Sequence, residues 1–156
     1  MRIRIAVVTA LLLVSATVVA SAQDHEKKIR KSELPPAVLK TVDEQSKGAT
    51  VRGFSQEREG GKTYYEAEMK VNGHTKDVLV DANGKVVEVE EDVNLAALPQ
   101  PVRSALQEKA GTGTIRKVES ITKENKLVAY EAQVVTAGKK SEIQVGPGGE
   151  QLEHAE

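Results

Sequence analysis

Leu34-Pro35-Pro36-Ala37-Val38 is answered 64 residues later by Leu98-Pro99-Gln100-Pro101-Val102, and Tyr65-Glu66-Ala67 is answered by Tyr130-Glu131-Ala132. In both stretches proline stands where a helix begins. A first-turn amide has no intrahelical partner, so proline costs nothing there. Val38 and Val42 then lie at i, i+4 and share a face, as do Val102 and Leu106. Gly48 and Gly111 mark the stops. The spacing predicts helices over 35–45 and from Pro99 to the stop at Gly111, with a further short turn over 94–98.

After each helix the period of the apolar residues changes from about 3.6 to 2. Tyr65, Ala67, Met69 and Val71 alternate with Tyr64, Glu66, Glu68 and Lys70. That alternation is the mark of an antiparallel strand with one buried face. Val78 with Val80 and Val87 with Val89 extend the apolar face. In the second half Val128, Tyr130, Ala132 and Val134 take the inward places, followed by Ile143, Val145 and Leu152. Val51 with Phe54, and Ile115 with Val118, are three apart, which predicts a bulge in the first strand of each unit. Gly60-Gly61, Asn72-Gly73, Glu124-Asn125 and Ala137-Gly138 supply hairpin turns, and Asp81 to Gly84 and Gly146 to Gly149 supply the rest. The expected fold class is therefore α+β: two tandem repeats, 34–93 and 94–156, each one helix packed on a four-stranded antiparallel meander sheet.

The chain has 156 residues, no cysteine and a formal charge of −1. Arg2 and Arg4 precede an apolar run over 5–19, and Ala20-Ser21-Ala22 fits a small-x-small cleavage site. The reading is a cleavable signal peptide over 1–22, cut after Ala22, with export to the periplasm or beyond and no stable membrane insertion afterwards. Removing the two arginines takes the charge from −1 to −3, which disfavours nucleic acid as a partner. Gln23 to Glu33 is polar, with clustered Lys27, Lys28, Arg30 and Lys31, and reads as a flexible leader.

Catalytic patterns fail one by one. His25, His74 and His154 are too far apart in sequence to form a local ligand pair. Asp81-Ala82-Asn83-Gly84 begins like a calcium loop but runs into a strand instead of a second set of oxygen ligands. No Gly-x-Ser-x-Gly elbow and no phosphate loop opening a helix is present. Glu88 and Glu90 read as the solvated side of a charge-protected edge strand. The expectation is a non-enzymatic chain without metal or cofactor. What remains is recognition through the sheet faces that the helices leave open. Arg52, Tyr64, Glu66, Glu68, Arg116 and Glu131 are the candidate partner-binding residues, because binding hot spots favour Tyr and Arg. The expected partner is a protein or peptide of the cell envelope, met by a monomer. The alternative is a small ligand held in the cleft between the repeats.

The Leu-Pro helix starts, the Tyr-Glu-Ala strands and the Asp81-Ala-Asn-Gly84-Lys85-Val86 turn together resemble the PepSY-like domains of exported bacterial proteins. Two such units in tandem, over about 34–153, resemble the β-lactamase-inhibitor-protein-like arrangement. The resemblance implies a periplasmic or secreted binding module, with restraint of peptidases as the activity of some relatives. The second copy departs from the pattern, since Gly146-Pro147-Gly148-Gly149 replaces the Asp-x-Asn-Gly turn.

Overall fold

The structure, a computed structural model, describes residues 26–153; the expected signal peptide lies outside them. The elements run β1 (Lys27–Ile29), a 3-10 turn (Lys31–Glu33), α1 (Pro36–Gln45), β2 (Thr50–Glu59), β3 (Lys62–Val71), β4 (His74–Asp81), β5 (Val86–Asp92), a second 3-10 turn (Leu95–Ala97), α2 (Gln100–Ala110), β6 (Thr114–Lys123), β7 (Lys126–Thr136) and β8 (Lys139–Val145). All eight strands form one antiparallel sheet in the order β1 to β8. The units join edge to edge: β5 pairs with β6 from Glu88 opposite Lys123 to Asp92 opposite Glu119.

Both helices lie on the same side of this sheet. Register carries that face from Ala67 through Val78 and Val89 to Thr122. Val118, four residues before Thr122 on the same strand, continues it to Ala132 and Ile143. Val38 and Val42 of α1 are buried against Ala67, Met69, Val78 and Val80. Val102 and Leu106 of α2 are buried against Val118, Ala132, Val134 and Val145. Each such side chain contributes about 1.5–3 kcal/mol by leaving water, and each helix depends on its sheet because ten or eleven residues are too few to hold a helix alone.

The repeated turns lock the repeated helices. Gly84 and Gly149 both sit at positive φ, 87° and 85°. A Cβ on Gly84 would lie 2.7 Å from the Ala37 carbonyl oxygen, and one on Gly149 would lie 2.6 Å from that of Pro101. Ala37 and Pro101 are the equivalent first-turn residues, so each hairpin closes directly on helix backbone. In the first unit the Thr41 hydroxyl also donates to the Gly84 carbonyl at 2.6 Å.

Four features differ from the sequence reading. The leader is not wholly without structure: Lys27–Ile29 pairs with Phe54 to Gln56 as an edge strand. The second unit has three strands after its helix, because Leu152 stands alone after the Gly-Pro-Gly-Gly turn and forms no ladder. Val86 rather than Val87 packs on the core with Val89, since a register shift at Leu79/Val80 makes Val87 the extra residue. Val128 likewise falls in a shift between β6 and β7. The bulges expected in the first strand of each unit are present, at Val51/Gly53 and at Ile115/Lys117.

Val42→Asp and Leu106→Asp each bury an unpaired charge under the sheet, and circular dichroism will show loss of cooperative folding in both. Gly84→Ala and Gly149→Ala will each lower stability in urea by more than about 1 kcal/mol, since both need positive φ and meet a carbonyl.

Candidate functional site

The face opposite the helices carries the charge. Alternation along β3 turns Tyr64, Glu66 and Glu68 to it, and along β4 it turns Asp77 and Leu79 there. The same rule brings Glu88, Glu90 and Asp92 of β5, Glu119 and Ile121 of β6, and Ala129 and Glu131 of β7. Cross-strand rows follow from the register. One row reads Glu68, Asp77, Glu90, Ile121, Ala129. The next reads Asp92, Glu119, Glu131, Gln144. Both rows set carboxylates directly opposite carboxylates, an arrangement that costs a sheet stability.

Local contacts soften this cost. Ser55 donates its hydroxyl to Glu66 at 2.8 Å, and Gln144 donates its amide to Glu131 at 2.8 Å. Lys117 Nζ stands 2.5 Å from Glu119, whose side chain is only 5% exposed. Lys123 stands 3.7 Å from Glu88. Among the described residues acids outnumber cations at the middle of the field: carboxylate oxygens of Asp77, Glu90 and Glu119 converge within 4.8 Å of one another, with Lys117 paired to Glu119. Beside them lies a cleft of about 190 Å³ walled by Glu57, Glu66, Asp77, Glu88, Glu90 and Lys123.

Burial and like charge hold protons on this face. Burial, then Glu119 and Glu88, pushes Glu90 up to about 8. Burial, then Glu66, pushes Glu57 up to about 7. Burial, then Glu66, raises Asp77 to about 6, against the opposing pull of Lys117. Burial also raises Glu131, although the Gln144 hydrogen bond pulls the other way.

Of the residues singled out in the sequence, Tyr64, Glu66, Glu68 and Glu131 share this face. Arg52 and Arg116 are the equivalent bulge residues of the two units, both exposed. Arg116 lines a separate open cleft of about 480 Å³ with His74, Thr75, Asp92 and Lys117. Residues of both repeats line this cleft, which is open and not a closed chamber; the β5–β6 ladder bridges the seam beside it. The sequence carries no signal that singles out Asp77 and Glu119, and it reads Glu88 and Glu90 as a solvated edge. That edge reading is corrected: β5 is central, paired on both sides. The calcium-like turn is also accounted for, since Asp81 Oδ1 accepts the amides of Asn83 and Lys85 at 2.9 Å.

No protein-family model matches the sequence, and no curated protein matches it either. Solved structures do resemble it. A BLIP-like protein from Bacteroides fragilis is 25% identical, with 75% of this chain and 82% of that chain covered and a TM-score of 0.56. A candidate periplasmic protein from Bacteroides eggerthii is 21% identical over 74% of this chain and 84% of that chain, with a TM-score of 0.60. A DUF2874 family protein from Bacteroides ovatus is 23% identical over 76% and 85%, with a TM-score of 0.58. The shared fold is an α+β, BLIP-like one. No helix among the described residues is long and apolar enough to cross a membrane.

The raised carboxyls set the sign of the pH dependence. Between about pH 4, where the unfolded carboxyls ionise, and pH 8 the folded chain holds more protons than the unfolded one, so stability falls as pH rises. Urea midpoints will drop from pH 5 to pH 8.5. Glu90→Gln will flatten that slope and raise stability at pH 8.5 by up to about 1 kcal/mol, the scale of one opposed pair.

Proposed function

We propose that this chain is a non-catalytic envelope protein of PepSY-like build, exported by its N-terminal segment, that binds a protein or peptide across the open face of its sheet. The observation that carries the reading is the open face itself. From β2 to β8 it spans six strand spacings, about 29 Å, and a common length of seven residues gives about 23 Å. The product, about 670 Å², approaches the ~800 Å² per partner of a standard protein interface. Helices cover the other side only. The likeness to a BLIP-like protein and to a candidate periplasmic protein supports both the binding role and the compartment, by analogy of fold. Restraint of a bound enzyme such as a peptidase is the activity that the PepSY-like resemblance implies.

Photo-crosslinking separates the two sides of the molecule. A benzoylphenylalanine placed at Tyr64 or Gln133, on the open face, will form an adduct with a protein of the bacterial envelope. The same group at Lys40 or Ser104, on the exposed helix surfaces, will not. Adducts from the helix positions alone, or from none, would overturn the reading.

A further inference from the structure

Resting on that protein-binding reading, the charge pattern narrows the partner. The two carboxylate rows occupy the five consecutive strands β3 to β7, and among the described residues acids outnumber cations at the Asp77, Glu90 and Glu119 convergence, where Lys117 pairs with Glu119. Lys117 and Lys123 sit at its sides. We propose that the open face receives a basic protein segment, extended across the strands, that presents lysine or arginine side chains to these rows.

The dimensions fit such a segment. Four strand spacings separate Glu68 on β3 from Glu131 on β7, about 19 Å. Same-side residues of an extended chain recur about every 6.7 Å. A stretch of six or seven residues with cations at alternate positions therefore crosses the field and places three or four charges along it. Other occupants fit worse. A second copy would bring its own carboxylates face to face with these. Nucleic acid and anionic lipid are repelled by the same field. An apolar surface would strip water from carboxylates and return no counter-charge. A basic segment also gains speed, because a focused field of one sign steers an oppositely charged partner.

The test uses fluorescein-labelled (Lys-Ser)4 and (Glu-Ser)4 peptides with the whole exported chain, read by anisotropy. The basic peptide will bind saturably at 20 mM salt and at least tenfold more weakly at 200 mM, and the acidic peptide will not bind. At pH 8.5, where Glu90 is largely ionised, Glu90→Gln with Glu119→Gln will weaken binding at least tenfold, with circular dichroism checking that the variant folds. Glu44→Gln with Glu108→Gln removes the same charge from exposed helix positions and will change affinity less than twofold. Affinity will also tighten from pH 6 to pH 8.5. Over that range Glu90 ionises against Glu88 on its own strand, Asp77 on β4, Glu119 on β6 and Glu131 on β7, with Lys117 and Lys123 at the margins.

Equal weakening by the two double variants would overturn the proposal, because binding would then follow net charge and not this face. Binding of calcium chloride without binding of the peptide would overturn it in favour of a metal ion. A dimer in sedimentation that the Glu90→Gln, Glu119→Gln variant dissociates would overturn it in favour of a second copy. Loss of peptide binding with the open-face cross-links kept would reject the basic partner and leave the protein-binding reading standing. Loss of both would reject both.

Discussion

The ladder between β5 and β6 decides more of this molecule than any other contact. Without it, each helix would cover its own small sheet, and each sheet would end in two exposed edges. With it, β5 becomes an interior strand, the helices fall on one side, and the opposite faces of both units merge into one surface. The ladder also sets the register that places Asp92 against Glu119 and Glu88 against Lys123. The acidic rows on the open face follow from that register together with simple alternation.

The fold shows how two sets of demands are kept apart. Residues turned to the helices are small or medium apolar ones, mostly valine and alanine, and they pack into two clusters. Their counterparts turned outward are carboxylates whose ionisation is opposed by burial and by one another. A protein selected for stability alone would replace some of these acids, since opposed like charges oppose folding and surface positions tolerate change. Their presence on five neighbouring strands is the kind of local conflict expected where a surface serves recognition.

Much of this was legible in the sequence because the governing signals are local. Pro35 and Pro99 mark the helix starts, Asn72-Gly73 and its equivalents mark hairpins with positive φ, and the three-residue spacings mark the bulges. The duplicated glycine at 84 and 149 has a physical cause that only the structure displays, the carbonyl of the helix pressed against it. What was not legible depends on partners distant in the chain. Glu88 and Glu90 alternate with Val87 and Val89 in the same way whether the strand is an edge or an interior one. Only pairing with residues some thirty positions later distinguishes the two. The β1 strand has no alternation of its own, and β2 orders it. Four of the six residues singled out for binding share the open face; the centre of that face, Asp77 and Glu119 with Glu88 and Glu90, needed the register to be seen.

Among the described residues the meander has two edges where another chain could add itself, and both are blunted. At one end β1 offers only three residues, so the ladder runs out almost at once. At the other, β8 begins with the exposed Lys139, Lys140, Ser141 and Glu142. Charges on an outer strand resist the stacking of sheet upon sheet edge. Such a tape could in principle be endless, unit after unit joined as β5 joins β6. Blunted edges of this kind oppose growth of the sheet in its own plane and leave its open face as the broad surface still exposed.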